Sequence, residues 1–91
     1  MKKFTFDLEM ADGTIHKGAR IYAADRLKAV KIARTNEIPW EDGPEAHALL
    51  IFAAVRRLGL THADNFDDWM SEVVDFALGA TDDEDPTTPT A

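Results

Sequence analysis

Alternating apolar and polar positions open the chain. From Lys3 to Met10 every second residue is apolar, which is the period of a strand with one buried face. A second alternating run covers residues 14–23, and the Asp12-Gly13 pair between the two runs is a strong turn signal. The pattern therefore predicts a β-hairpin over residues 3–23, with a bulge or bend at Gly18.

A helical pattern follows the hairpin. Ala24-Asp25 fits a helix N-cap, apolar residues then recur at helical spacing, and bases lie toward the end, where the helix dipole favours them. The residue before Pro39 is biased toward extended conformations, so the helix should end before it. We expect a helix over residues 25–36, followed by a connector in which Trp40 packs on the core.

The next segment predicts an unusually apolar helix. Pro44 suits the first helical position and Gly59 suits a C-terminal cap, which gives a helix over residues 44–58. Residues 46–55 are apolar nearly all the way round, with a single histidine as the polar exception. Such a helix must be buried on more than one side. It either lies in the centre of the fold or has a second side that a partner covers.

A third helix is expected over residues 65–78. Asn65, with Asp68 three positions later, resembles a capping arrangement, and Gly79 would end the helix. Apolar residues recur at helical spacing between these signals: Phe66, Trp69, Met70, Val73, Phe76 and Ala77. This regular stripe, with acids on the opposite face, indicates an amphipathic helix.

These elements define the expected architecture. We predict an α+β fold in which an N-terminal β-hairpin is followed by three α-helices packed as a small helical domain. The whole of residues 1–79 forms one domain, since 91 residues suffice for a single modest core. Residues 80–91 hold no large apolar side chain and are rich in Asp, Thr and Pro, so a disordered acidic tail is expected there.

The net charge of −7 is distributed unevenly. Residues 1–34 carry eight bases and four acids, whereas residues 35–91 carry two bases and thirteen acids. Such a dipolar chain permits head-to-tail self-association, and solvated charged faces are the simpler interpretation. The N-terminus lacks the apolar run of a signal peptide, and no segment has the length of a membrane span, so a soluble protein without a membrane partner is expected.

No residue pattern indicates catalysis. The three histidines, His16, His47 and His62, do not share a helix face, and the chain has no cysteine, so neither a zinc site nor a disulfide is expected. The glycines are isolated, the single serine lies in a predicted helix, and paired carboxylates lack the apolar surroundings of an acid/base pair. We therefore expect a protein that is not an enzyme, with no catalytic, metal-binding or cofactor-binding residues and no cofactor.

The basic first helix raises a nucleic-acid alternative. Arg26, Lys28, Lys31 and Arg34 could lie along a phosphate backbone. A sequence pI near 4.7 and the lack of interleaved aromatic and basic residues argue against it. Nucleic acid is therefore not an expected partner.

The second half of the chain resembles a known protein family over residues 30–79. Its successive features are a short helix ending in Ile32-Ala33-Arg34, the proline-rich acidic connector of residues 36–44, the helix AHALLIFAAVRRLGL and the segment NFDDWMSEVVDF. This succession looks like the tail assembly chaperones of long-tailed bacteriophages, especially those of actinobacterial phages and prophages. The matching positions are Ala54, Val55, Arg56, Arg57, Gly59, Leu60, Phe66, Trp69, Val73 and Val74.

The resemblance implies a chaperone of phage morphogenesis. Proteins of this family act in the host cytoplasm, coat the aggregation-prone tape measure protein, help to recruit tail tube subunits and are absent from the mature virion. For this chain we expect a groove for partner helices, and the residues assigned to core and groove together are Leu49, Leu50, Phe52, Ala53, Phe66, Trp69, Met70 and Val73. The alternative is a small structural or regulatory phage module, either a head-tail connector component or a host-directed protein, that pairs through the hairpin edge.

Overall fold

The computed structural model describes residues 2–41 and 43–82. Its elements, in chain order, are β1 (Lys2–Met10), β2 (Ile15–Arg20), α1 (Ala23–Thr35), α2 (Pro44–Leu58), α3 (Phe66–Met70) and β3 (Val73–Asp82). The strands form one antiparallel sheet in the order β2-β1-β3, so β1 is the central strand. The result is a small α+β domain whose helices cover one face of a three-stranded sheet.

The hairpin of β1 and β2 confirms the prediction from the alternating pattern. In its turn, Asp12 Oδ1 accepts a hydrogen bond from the Thr14 backbone N–H at 2.9 Å, and hydrogen bonds from Thr14 lower the pKa of Asp12. The register shifts between Phe6 and Leu8, and Gly18 on the other strand has a φ of 67°. The bulge expected at Gly18 is therefore present, and glycine allows the left-handed backbone conformation there.

Helix α1 begins earlier than its sequence signals indicate. Its N-cap is Tyr22, so the expected N-cap at Ala24-Asp25 is wrong. Asp25 instead lies in the first turn, where its Oδ2 accepts a hydrogen bond from the Tyr22 backbone N–H at 2.8 Å. The buried face of the helix consists of Asp25, Ala29 and Ala33, spaced four residues apart. The two alanines allow α1 to approach α2 closely.

Helix α2 is the centre of the hydrophobic core. Every residue from Ile51 to Val55 is buried, so the helix is covered on more than one side, as its apolar sequence predicts. Packing against α1 covers one part of its circumference, and α3 with the sheet covers the rest. Gly59 ends the helix with a φ of 73°, which confirms the expected C-terminal cap. Within the described chain, the two-sided apolarity of α2 is thus satisfied by the fold itself.

Helix α3 contributes an aromatic cluster to this core. Asn65 is its N-cap, and the Asn65 side chain accepts a hydrogen bond from the Asp68 N–H at 2.8 Å, as the sequence predicts. The ring centroid of Phe52 lies 5.7 Å from that of Phe66 and 5.3 Å from that of Trp69. Because these distances are typical of packed aromatic pairs, the cluster fixes α3 against α2.

The predicted third helix over residues 65–78 is wrong beyond its first turns. Helix α3 ends at Met70, and Val73–Asp82 form the strand β3, which pairs with β1 along its whole length. The expected arrangement of a hairpin beside a helical domain is therefore replaced by a three-stranded sheet with helices on one face.

The physical reason for this difference lies in β1. If β1 paired only with β2, the backbone N–H and C=O groups along its other edge would have no partner. The sequence from Val73 supplies that neighbour, because Val73-Val74 favours strands and Phe76 and Leu78 alternate with small or polar residues. The same apolar residues fit a helical stripe as far as Phe76, so the local pattern is ambiguous and the sheet decides it.

The connector after α1 also departs from expectation. Trp40 is 43% exposed and does not pack as a core residue, so that prediction is wrong. Glu37 adopts a φ of 58°, and the Ile38 N–H donates to the Ala33 carbonyl at 2.8 Å, which turns Ile38 onto the core. Ile38 therefore covers the end of α1 in place of Trp40. The predicted tail of residues 80–91 begins inside β3, and residues 83–91 lie outside the described part of the chain.

Candidate functional site

The most distinctive surface is a groove between α1 and α2, here called the α1–α2 groove. It consists of two adjoining cavities of about 390 and 350 Å³, which share Lys28 and Arg56. The first is lined by Lys28, Lys31, Ile32, Thr35, Asn36, Phe52, Arg56, Asp64, Asn65 and Phe66. The second is lined by Ala24, Asp25, Lys28, Ala53, Arg56 and Arg57. The groove therefore combines an apolar floor with basic side chains at its margin.

Helix α1 supplies one wall through a stripe beside its buried face. Lys28, Lys31, Ile32 and Thr35 follow one another at three- and four-residue spacing, so they share one side of the helix. The lysine side chains are exposed, whereas Ile32 is partly buried against the core. This wall thus presents ammonium groups above an aliphatic surface.

Helix α2 supplies the floor and the opposite cation. Phe52 is buried at the bottom, and the guanidinium carbon of Arg56, one turn later, lies 5.6 Å from the centroid of the Phe52 ring. This distance is within the range of a cation–π interaction, which orients the guanidinium along the groove. Phe66, at the start of α3, extends the aromatic floor.

An ion pair between the partly exposed Arg57 side chain and the buried Asp25 carboxylate fixes the far end of the groove. Arg57 donates from Nε to Asp25 Oδ1 at 2.9 Å and from Nη2 to Asp25 Oδ2 at 3.0 Å. Its Nη2 also donates to the Arg20 carbonyl at 3.1 Å, and its guanidinium carbon lies 3.9 Å from the Tyr22 ring centroid. The hydrogen bonds to Asp25 raise the pKa of Arg57. These contacts join β2, α1 and α2 at one point.

The groove is locally positive in an acidic protein. Lys28, Lys31 and Arg56 make no ion pair with any residue that the structure describes. Of the carboxylates that line the groove there, Asp25 is paired with Arg57 and Asp64 lies at the rim. The free cations face solvent above apolar surface, so they favour an occupant with carboxylate or phosphate groups beside apolar groups.

The residues assigned to core and groove from the sequence are mostly interior. Leu49 and Trp69 are fully buried in the core. Phe52, Ala53 and Phe66 are also buried, and they form part of the groove floor. The remaining three, Leu50, Met70 and Val73, are half-buried against the core and do not line the groove. The structure therefore does not bring the eight residues together on one surface.

The sequence did not predict that Lys28, Lys31 and Arg56 line an apolar groove. In the sequence, Lys28 and Lys31 indicate only a basic helix face, and Arg56 is part of the Arg-Arg pair at a helix end. The signal that could have found them is the mixed stripe from Lys28 to Thr35, which places Ile32 among polar residues at helical spacing. The ion pair between Asp25 and Arg57 could not be predicted from a local pattern, because 32 residues separate them in sequence.

A second, polar cleft lies beside the loop that leads into α3, where the Asn65 side chain at the groove donates a hydrogen bond to Asp68 of the cleft at 3.1 Å. It has a volume of about 600 Å³ and is lined by Met10, Asp12, Thr14, His16, Leu60, Thr61, His62, Ala63, Asp68, Ser71 and Glu72. Despite its histidines and carboxylates, residues 2–41 and 43–82 contain no cluster of three or more such groups arranged to hold a metal ion. The α1–α2 groove combines an apolar floor with exposed cations, which makes it the candidate binding site.

Comparisons with known proteins give no further identification. No protein-family model matches the chain, no curated protein matches it, and no solved structure matches it. Within the described residues, no helix has both the length and the apolarity needed to cross a membrane. The assignment of function therefore depends on the site geometry and on the residues that carry the family resemblance.

Proposed function

We propose that this protein is a non-enzymatic phage tail assembly chaperone that binds the tape measure protein through the α1–α2 groove. The observation that carries the proposal is a coincidence of positions. Arg56 and Phe66, two residues that carry the resemblance to these chaperones, both line the groove, and a third, Arg57, fixes its end. Three of the ten positions that carry the resemblance therefore lie at the groove, which supports the proposal.

The groove suits an amphipathic helix with acidic residues beside its apolar face. Apolar side chains of such a helix would cover Phe52, Phe66 and Ile32, while its carboxylates would pair with Lys28, Lys31 and Arg56. The basic margin would favour rapid encounter and fix the orientation of the helix, whereas the apolar floor would supply affinity. A long helical tape measure protein offers many segments of this kind.

The wider role of the protein follows from the same proposal. The chaperone acts in the host cytoplasm, keeps the tape measure protein soluble and helps to bring tail tube subunits to it. It leaves the particle before the virion is complete. The acidic outer surfaces of the bound chaperone would keep the complex in solution.

Co-expression with the tape measure protein encoded nearby tests the proposal. The wild-type chain should yield a soluble complex. The charge reversals Lys28→Glu and Arg56→Glu should each reduce the recovered complex about tenfold, because the new carboxylate would repel the carboxylate of the partner helix that pairs with the native cation. The matched control is Arg34→Glu, which makes the same charge change on an exposed residue of α1 outside the groove. This control should retain the complex.

Two results would contradict the proposed function. One is a tape measure protein that is equally soluble without this chain. The other is an equal loss of complex in Arg34→Glu and Arg56→Glu, since net charge and not the groove would then explain binding. Circular dichroism of each variant verifies that the fold is retained.

A further inference from the structure

The two edges of the sheet differ in how they are protected. β2 is short, contains the bulge at Gly18, and carries Lys17 and Arg20. The Arg20 carbonyl at this edge is also occupied, because it accepts the hydrogen bond from Arg57. Short length, a bulge and positive charge are the devices that prevent an edge strand from pairing with another chain.

The β3 edge lacks most of these devices. β3 is ten residues long, and its stretch from Phe76 to Thr81 contains neither a charged residue nor a proline. Its register with β1 is regular from Asp75 onward. A long, uncharged and regular edge is a template for a further strand.

The ladder geometry shows which backbone groups this edge offers. The Phe4 carbonyl accepts from Ile21 on the β2 side, so Phe4 faces β2 and its partner Ala80 points its own N–H and C=O away from β1. Leu78 and Phe76 share this direction because backbone groups alternate along a strand. Among residues 2–41 and 43–82, the Phe76 N–H is bonded to Asp75 Oδ1 at 2.9 Å, whereas the N–H groups of Leu78 and Ala80 have no partner.

We propose that β3 pairs antiparallel with β3 of a second copy of this chain, which joins two three-stranded sheets into one of six strands. The pairing is centred on Leu78, which lies opposite Leu78 of the second copy. Phe76 lies opposite Ala80 of that copy and offers its carbonyl to the Ala80 N–H, since its own N–H is bonded to Asp75. Phe76 and Leu78 are only partly buried on the helix-covered face, so each copy covers apolar surface that the other leaves accessible.

Charge supports the same occupant and the same register. In this register Asp75 lies opposite Thr81 of the second copy, so no two carboxylates face each other across the pair. The contact is isologous, because the same residues are used by both copies, and it closes at a dimer. It does not involve the α1–α2 groove and is independent of the proposed function.

Sedimentation equilibrium of the full chain from about 10 μM to about 1 mM tests the pairing. We expect a reversible dimer that strengthens with added salt, because screening reduces repulsion between two copies of net charge −7. A head-to-tail contact between basic and acidic surfaces would instead weaken with salt. A monomer at all concentrations, or a dimer that salt dissociates, would overturn the proposal.

A matched pair of proline variants locates the interface. Ala80→Pro removes an N–H that points away from β1 and should raise the dimer dissociation constant at least about tenfold while the fold is retained. Ile15→Pro makes the equivalent change at the start of the β2 edge and should leave the dissociation constant unchanged. Equal effects of the two substitutions would exclude β3 as the interface.

Amide hydrogen exchange on the wild-type chain gives a test that needs no variant. The N–H groups of Leu78 and Ala80 should become protected as concentration rises, whereas those of Ala77 and Gly79, which bond to β1, should be protected throughout. Unprotected Leu78 and Ala80 amides in the dimer would contradict the pairing. Their protection in a monomer only after another protein is added would assign the edge to that protein's strand instead.

Discussion

At the residue scale, the arginine pair at the end of α2 shows how neighbouring residues of one type take different roles. Arg57 is bound to a carboxylate that is 98% buried, through two hydrogen bonds, and closes the junction of β2, α1 and α2. Arg56 is exposed over the Phe52 ring and lines the groove. The side of the helix on which each one lies determines whether it stabilises the fold or lines the groove.

Replacing Arg57 should be costly for this reason. Arg57→Met retains much of the side-chain volume but leaves the buried Asp25 carboxylate with the Tyr22 N–H as its one hydrogen-bond donor among the described residues. We expect the free energy of unfolding to fall by about 3 kcal/mol, which is the usual consequence of leaving a buried charge unpaired. Urea denaturation measures the change.

The adjacent residue provides the control for this prediction. Arg56→Met removes an exposed cation and its cation–π contact, so it should lower the free energy of unfolding by less than about 1 kcal/mol. If the free energy of unfolding fell equally in the two variants, the Asp25–Arg57 pair would stabilise the fold no more than the exposed Arg56 does.

At the element scale, the boundary between α3 and β3 is where the structure differs most from the sequence-based prediction. The helix ends at Met70, and the Ser71 hydroxyl donates to the Asp68 carbonyl at 2.7 Å at its C-terminal cap. The Ala11 N–H then donates to the Glu72 carbonyl at 2.8 Å, which directs the chain to the open edge of β1. One local and one long-range hydrogen bond thus mark the change from helix to strand.

Two neighbouring positions distinguish the strand from the predicted helix. Leu78 lies opposite Phe6 on the core side of the sheet, whereas Ala77 is exposed on the other face. Leu78→Asn should therefore lower the free energy of unfolding by about 1–2 kcal/mol, and Ala77→Asn by no more than about 0.5 kcal/mol. The helical stripe predicts the reverse order, because it includes Ala77 and omits Leu78. Thermal or chemical denaturation of both variants decides between them.

At the scale of the whole molecule, one core connects all the elements. Phe6 and Leu8 from the sheet, Ala29 and Ala33 from α1, and the buried face of α2 belong to the same cluster of packed side chains. α3 joins this cluster through Trp69, which is fully buried. No element has a separate core within residues 2–41 and 43–82, so the elements should unfold together.

The two tryptophans allow this cooperativity to be measured. Trp40→Phe removes the exposed indole and leaves Trp69 as the only tryptophan, a reporter of the α2–α3 contact. We expect its fluorescence and the far-UV circular dichroism to follow the same single transition in denaturant, because one core holds both the helices and the sheet. A fluorescence transition at clearly lower denaturant would mean that α3 separates before the rest of the domain unfolds.

Much of this protein was determined by its sequence alone. The hairpin, α1 within three residues of its expected bounds, α2 and the caps at Asn65 and Gly59 follow from local signals, since turn residues, capping side chains and apolar period act over a few residues. The need to bury α2 on more than one side was also evident from its composition. These features require no knowledge of distant parts of the chain.

Only the tertiary structure decided the rest. The segment from Val73 forms a strand because it pairs with the otherwise unpaired edge of β1, more than sixty residues earlier in the chain. The apolar pattern of this segment fits either a helix or a strand up to Phe76. The second side of α2 was covered by the fold itself, and the Asp25–Arg57 pair and the α1–α2 groove arose where separate helices meet. Such contacts depend on the three-dimensional proximity of distant residues, which no local pattern encodes.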